Sequence, residues 1–278
     1  MRSRVKNKYM PDPIITSPKN PLVREILELQ GKSKERIRQR AIVIEGRKEI
    51  SLAVSAGVRF RKVIYRPEII PPEEVRVLTG SSASAGTEFI AVSEAVFSKI
   101  SYRESTGGVV VAADLPEKNL SDLKTGGQSV FILLESVEKP GNLGAICRVA
   151  DAARVDGVIV CDPRTDVYNP NAIRSSLGCV FTVDVVSTDS DTALEWLKQN
   201  HIKSFAAELT AAEFYHETDL TGPVALVFGT EATGWTDKWI DGADKRIKIP
   251  MGGVIDSLNV TTSVAILVFE AMRQRGFR

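Results

Sequence analysis

The sequence is poor in the residues that build metal and redox centres: its 278 residues include three cysteines and two histidines. Cys147, Cys161 and Cys179 form no Cys-x-x-Cys pair, and His201 and His216 complete no zinc set with them. The spacing excludes the common structural zinc and dithiol motifs. Three scattered thiols read instead as small buried apolar side chains of a reduced protein. Long apolar runs are also missing. Val130-Phe131-Ile132-Leu133-Leu134 is among the longest, well short of the ~20 residues that cross a bilayer. No apolar stretch follows the basic N-terminus, as a secretory signal would require, so a cytoplasmic protein is expected. Internal repeats and low-complexity tracts are absent too.

What is present is the composition of a globular protein with a core, 43% hydrophobic and 26% charged. The length suits two modest domains. A net charge of +1 conceals an asymmetry: residues 1–50 carry thirteen basic side chains against six acidic ones. A basic end on a neutral body suits a polyanionic partner, although a solvated charged face reads the same way.

Residues 1–13 have no periodicity and read as a basic disordered tail. From 14 to 113 strands and helices alternate. Leu22, Ile26 and Leu29 recur at helical spacing, Ala41–Glu45 reads as a strand, Arg47–Ala56 as a helix closed by Gly57, and Val63–Tyr65, Phe89–Val92 and Val109–Ala113 as further strands. That order predicts a small α/β sandwich. Residues 114–128, with Pro116, Gly126 and Gly127 among charges, read as a linker. Over 129–278 the runs Val130–Leu134, Val158–Cys161, Val183–Val186, Ser204–Ala207, Val224–Phe228 and Ile247–Pro250 predict strands. Several are continuously apolar, as strands of a parallel sheet buried on both faces must be. Helices are expected at Gly144–Ala153, Ala193–Asn200 and Asn259–Arg275, the last with Val264, Leu267, Val268 and Ala271 on its inner side.

Three polar segments follow predicted strands, where open α/β sheets bind ligands. In Glu135-Ser136-Val137-Glu138-Lys139-Pro140-Gly141-Asn142-Leu143-Gly144, Asn142 is placed to cap a helix. Arg148 lies within that helix, either as a planar phosphate grip or as a plain surface arginine. In Phe228-Gly229-Thr230-Glu231-Ala232-Thr233-Gly234 the glycines permit close approach of a ligand, and Glu231 either meets it or complements a helix dipole. In Ile249-Pro250-Met251-Gly252-Gly253-Val254-Ile255-Asp256-Ser257-Leu258-Asn259, Ser257 and Asn259 sit where a helix begins, so capping is their simplest role.

Taken in order, these segments resemble the three motifs of the SpoU/TrmH methyltransferases of the SPOUT superfamily, with Arg273-Gln274-Arg275 as the tail of the third. The resemblance covers 130–278. It implies an α/β-knot domain, a parallel sheet with a C-terminal trefoil knot, although general topology rules disfavour knots. It implies S-adenosylmethionine as cofactor, held near Leu226, Gly229, Ile249, Met251 and Leu258, and a homodimer whose sites are completed across the interface. Residues 14–113 are similar to the L30e-like substrate-binding domain of ribosomal-RNA-directed members, through Ser17-Pro18-Lys19-Asn20-Pro21 and Ile44-Glu45-Gly46.

The reaction implied is methyl transfer to a ribose 2′-hydroxyl, with Asn142, Arg148, Glu231, Ser257 and Asn259 as the catalytic set. A guanidinium of pKa above ~12 is a poor base. Arg148 is better suited to holding a phosphate and stabilising alkoxide charge. Asn142 would fix Arg148 or the ribose, Glu231 the loop, and Ser257 with Asn259 the target nucleotide. Arg36, Arg38, Arg40, Arg47, Arg273 and Arg275 are the expected RNA contacts, with ribosomal RNA favoured over tRNA and no metal required. A dinucleotide-dependent oxidoreductase is disfavoured, because Gly141-Asn142-Leu143-Gly144 lacks the Gly-x-Gly-x-x-Gly spacing. A non-catalytic RNA-binding protein of the same fold is the other alternative.

Overall fold

The computed structural model describes residues 13–102, 107–229 and 237–277; the expected tail over 1–13 lies almost wholly outside them. The chain opens with α1 (Pro21–Gly31), for which Asn20 Oδ1 accepts the Leu22 N–H at 2.9 Å and Pro21 supplies the first helical residue. Leu22, Ile26 and Leu29 are buried as the spacing predicts. Then come α2 (Ser33–Gln39), β1 (Ala41–Glu45), α3 (Arg47–Ser55), β2 (Phe60–Tyr65), α4 (Pro72–Thr79), β3 (Ala83–Ala91), α5 (Glu94–Ile100) and β4 (Val109–Asp114). Their sheet has the order β1-β4-β2-β3. β4 is antiparallel to both neighbours, while β2 and β3 run parallel.

From 114 to 128 the chain runs onto the second unit, where Leu123 is buried against Phe131 and its neighbours. That unit contains β5 (Val130–Glu135), α6 (Pro140–Ala153), β6 (Gly157–Cys161), α7 (Pro170–Ser175), α8 (Cys179–Thr182), β7 (Val185–Thr188), α9 (Ser190–Gln199), β8 (Lys203–Ala207), β9 (Glu213–Phe214), β10 (Val224–Phe228), α10 (Asp237–Gly242), β11 (Lys245–Lys248) and α11 (Val260–Gln274). The seven strands are ordered β7-β6-β5-β10-β8-β11-β9, and every pairing is parallel. β5, β6 and β10 are buried along their whole length, which explains why those runs lack polar alternation. The chain leaves β8 for the edge strand β9, returns to the middle as β10, then moves outward again to place β11 beside β8.

Several expected boundaries shift: the strand expected at Phe89–Val92 runs Ala83–Ala91, that at Ile247–Pro250 lies at Lys245–Lys248, and the helix expected at Ala193–Asn200 runs Ser190–Gln199. The helix expected from Gly144 begins at Pro140, because proline is favoured in a first helical turn and Gly141 follows it without a break. The strand expected at Val183–Val186 lies at Val185–Thr188, because Cys179–Thr182 turns as a short helix immediately before it.

The two sheets share one hydrophobic cluster: Ile42, Ile44 and Ile50 of the first unit pack in a common core with Ala172 and Ile173 of α7. Arg36 of α2 reaches Asp166 in the segment before α7, with Nε 2.7 Å from Oδ2. Nearby, the Arg174 guanidinium lies 4.2 Å from the ring centroid of Tyr102. No helix among the described residues is long and apolar enough to cross a membrane.

A candidate active site at the strand ends

The carboxyl ends of the central strands open into two clefts on either side of the start of α11. The first lies at the ends of β5 and β10 and is lined by Glu135, Ser136, Lys139, Asn142, Gly229 and Val260, among others. Glu135 closes β5 with a side chain only 2% exposed. Ser136 then takes a left-handed conformation (φ +50°), its N–H donating to Cys161 O at 2.8 Å, and so turns the chain toward α6. A non-glycine residue in that region carries strain, a recurrent feature of functional sites.

Asn142 does not cap α6. Lys139 holds the capping position without a side-chain hydrogen bond, and Asn142 sits inside the first turn, its N–H donating to Lys139 O at 3.0 Å. Asn142 is one of the residues that line the first cleft. Arg148 is exposed and has no hydrogen bond or ion pair to any described residue. It lies six residues beyond Asn142, roughly 9 Å along the helix axis and about a third of a turn away in azimuth. It does not line the first cleft.

The second cleft lies at the ends of β8 and β11. Its walls are Ala207, Glu208, Leu209, Ile247, Ile249, Met251, Leu258 and Ser263. Three of the expected cofactor positions, Ile249, Met251 and Leu258, therefore meet in one place. Glu208 is the only carboxylate among these walls. Its backbone N–H donates to Ile247 O at 2.9 Å, and its side chain is held by Thr210 and, at 3.5 Å, by Arg246 Nη1. An apolar slot with one oriented carboxylate and one hydroxyl suits a flat heterocycle carrying hydroxyl or ammonium groups.

The start of α11 is the partition between the clefts, with Val260 facing the first and Ser263 the second. Asn259 fixes it as an N-cap, its Oδ1 accepting the Thr261 N–H at 2.9 Å. This cap holds the helix end where both clefts need it. Ser257 is exposed in the loop before it.

The remaining expected site residues are dispersed. Glu231, with most of its segment, lies outside the described residues. Leu226 is fully buried within β10 and lines neither cleft, so it belongs to the core. Arg36 is 2% exposed: besides Asp166, its Nη1 donates to Leu29 O at 2.6 Å and to Gln30 O at 3.1 Å, so it is a strut between units and not a surface contact. Arg275 is 8% exposed and donates to Ala271 O at 3.0 Å and Gly222 O at 2.5 Å, which turns it inward as well. Burial pulls its guanidinium below the ordinary arginine range. Arg38, Arg40, Arg47 and Arg273 remain at the surface, paired with Glu35, Glu117, Glu74 and Glu270 respectively. Among the described residues no group of acids, histidines and cysteines is arranged to hold a metal ion.

Glu135, quoted only as the first residue of its segment, and Glu208 line the two clefts without having been singled out as candidates. Each directly follows an apolar run read as a strand, so the strand-end rule applied to every strand would have nominated both.

Comparison with known proteins gives a consistent picture. A family model described as the SpoU rRNA methylase family matches residues 129–269, and one described as the MRM3-like substrate binding domain matches residues 20–111. The chain is 28% identical over 255 residues to the 23S rRNA (guanosine(2553)-2′-O)-methyltransferase RlmP of Bacillus subtilis, covering 92% of this chain and 97% of that one. Its fold is similar to a solved RNA 2′-O ribose methyltransferase, with TM-score 0.80, 36% identity and coverage of 95% and 99% of the two chains. It is similar also to the AdoMet-bound rRNA methyltransferase from Sinorhizobium meliloti, with TM-score 0.85, 29% identity and coverage of 94% and 97%.

Proposed function

The chain belongs to the SpoU rRNA methylase family, and on that footing we propose that it transfers a methyl group from S-adenosylmethionine to a ribose 2′-hydroxyl of ribosomal RNA. The observation that carries this reading is the pair of clefts sharing the start of α11. One has the apolar walls and single carboxylate that an adenosine moiety requires. The other has the carboxamide and buried acid that a sugar hydroxyl requires. Two relatives that match about nine tenths of the chain act, by name, on 23S ribosomal RNA, which favours that substrate over tRNA.

S-adenosylmethionine supplies a methyl group on a sulfonium, a good leaving group. The protein must then position a weakly acidic hydroxyl and accommodate its proton. Ile249, Met251 and Leu258 would hold the cofactor in the second cleft, with Glu208 receiving its polar groups. Gly229 would border it from the first cleft, where the lack of a side chain allows close approach. Asn142 would orient the ribose from the wall of the first cleft. Arg148, unpaired and solvent-facing, would hold the phosphate beside the reacting sugar and stabilise negative charge on its oxygen. Ser257, Asn259 and Glu231 complete the proposed set, Asn259 by fixing the partition helix.

The same reading implies a C-terminal trefoil knot, with β10 between β5 and β8 and β11 beside β8, and takes the first unit as an L30e-like RNA-binding domain. It also implies a homodimer. Phe269 on α11, 40% exposed, supports an apolar contact on that helix.

The test is to incubate the protein with labelled S-adenosylmethionine and an unmodified 23S ribosomal RNA transcript or tRNA, then digest the RNA to nucleosides. Label in a 2′-O-methylated nucleoside of the ribosomal transcript is expected. Label confined to a base would overturn the chemistry, and no transfer without cofactor binding would favour a non-catalytic RNA-binding protein.

A further inference from the structure

The arginines of the first unit are largely committed to acids of the protein itself: Arg36 to Asp166, Arg38 to Glu35, Arg40 to Glu117 and Arg47 to Glu74. Lys48, the second residue of α3, is different. It is exposed and has no hydrogen bond or ion pair to any described residue, the same condition as Arg148.

The helices that carry these two unpaired cations, α3 and α6, both pack against one short element, α8. On one side, Gly178 abuts α3 at Glu49 and Leu52, the first of them next in sequence to Lys48. A Cβ at Gly178 would lie 2.9 Å from Glu49 Cα and 3.1 Å from Leu52 Cδ1, and its φ of +87° is one that side chains rarely adopt. On the other side, Thr182 Oγ1 donates to Asp151 Oδ1 at 2.8 Å, tying α8 to α6 one turn beyond Arg148. Cys179 lies between, half-buried. Burial first, and then Asp151, push its thiol up, while Lys48 and Arg148 act on it in the opposite direction. The acids nearby are already placed: Asp151 accepts from Thr182, and Glu49 is buried with its carboxylate folded over Gly46.

We propose that Lys48 and Arg148 form a two-point seat, shared between the two units, for successive phosphates of a single-stranded segment of the substrate RNA passing over Cys179. The proposal rests on the RNA methyltransferase reading above. A reacting 2′-hydroxyl has to be presented by a ribose freed from regular stacking, which single-stranded loops allow. One phosphate on Arg148 fixes a point beside the reacting sugar. A second on Lys48 fixes the direction of the strand, so the rigid contact of α3, α8 and α6 sets the register. Lys48 is a positioning residue in this scheme.

Binding of an unmodified 23S ribosomal RNA transcript should be measured over a salt series for the wild type, Lys48→Ala and Lys48→Arg. The Ala variant should bind more weakly, with the slope of log affinity against log salt reduced by about 0.7, the value for one single-strand phosphate contact. The Arg variant should restore both, and affinity for S-adenosylhomocysteine should be equal in all three. A second readout uses Cys179, since Cys147 and Cys161 are buried. Bound transcript should slow maleimide labelling of Cys179 in the wild type, and less so in Lys48→Ala. An unchanged salt slope in Lys48→Ala, or labelling of Cys179 indifferent to bound transcript, would overturn the seat. A protein showing both effects but transferring no methyl group to RNA would overturn the reaction and leave the seat standing.

Discussion

Arg36 spans the boundary between the two sheets to meet Asp166, with Nε 2.7 Å from Oδ2 and both carbonyls at the end of α1 taken up by Nη1. An arginine so enclosed orients one unit on the other, its own side chain buried and Asp166 partly exposed. The relation matters for the reaction because substrate would be held by one unit and methylated by the other.

Removing one member of this pair leaves a buried charge without its partner. Asp166→Ala should lower stability by about 3 kcal/mol, read as a shift of the urea midpoint, and should broaden the transition as the two units part company. A midpoint equal to that of the wild type would show that the pair contributes nothing.

Gly144→Ala tests the packing that places Asn142. Alanine in a helix interior normally stabilises by up to about 1 kcal/mol over glycine. Here the added Cβ would lie 2.6 Å from Ala172 O of α7 and 2.7 Å from the N of Ser176, which caps its end, backbone atoms that cannot swing aside. Overpacking of this kind costs about 1–3 kcal/mol, so the clash should win and the melting temperature should fall. A rise would mean that α6 and α7 tolerate separation.

Arg148→Ala should reduce methyl transfer by about 10²–10³, the scale of losing one group that stabilises charge in a transition state. Because Arg148 lines neither cleft, calorimetric affinity for S-adenosylhomocysteine should be nearly unchanged. Loss of cofactor binding would refute its placement on the RNA side.

Leu258→Asp puts a carboxylate into an apolar slot that already contains Glu208. S-adenosylhomocysteine affinity should drop by about tenfold or more, equivalent to ~1.4 kcal/mol, with the fold intact by circular dichroism. Retained affinity would move the cofactor elsewhere.

Asp114 gives a dependence on pH. Burial pushes its carboxyl up, but the hydrogen bonds from Arg59 and Arg61 prevail and hold it below the ordinary range. A carboxyl depressed in the folded state stabilises above its unfolded pKa of about 3.9 and loses that effect as pH falls through the folded value. Asp114→Asn should therefore be less stable than the wild type at pH 7, and the gap should close below about pH 4. A gap constant from pH 7 to pH 3 would rule out an ionic origin.

Much of the architecture was legible in the pattern of residues. Val130–Leu134 and Val224–Phe228 have no polar alternation, and both are fully buried parallel strands. Val264, Leu267, Val268 and Ala271 mark the inner side of α11 correctly. Short elements were not legible: α7 and α8 have too few residues to establish a period. Ile249, Met251 and Leu258 were named through the family resemblance alone, and the structure lines one cleft with all three. What the pattern concealed was the spending of charge. Arg36 and Arg275 read as surface cations because a buried arginine differs from an exposed one only by partners distant in sequence, Asp166 at 130 residues and Gly222 at 53. Asn142 was misread as a cap for a local reason, the extension of α6 back to Pro140.

The position of β10 has a consequence for the newborn chain. β5, β6 and β7 can pair as soon as Thr188 has been synthesised, but the other edge of β5 is reserved for β10. Until Phe228 emerges, an apolar strand edge stands open to any extended segment it meets. A ribosome stalled before Val224 would thus release an adhesive fragment, whereas one stalled after Lys248 would release a chain able to close its own sheet. Synthesis of the last fifth of the chain decides whether that edge of β5 is covered.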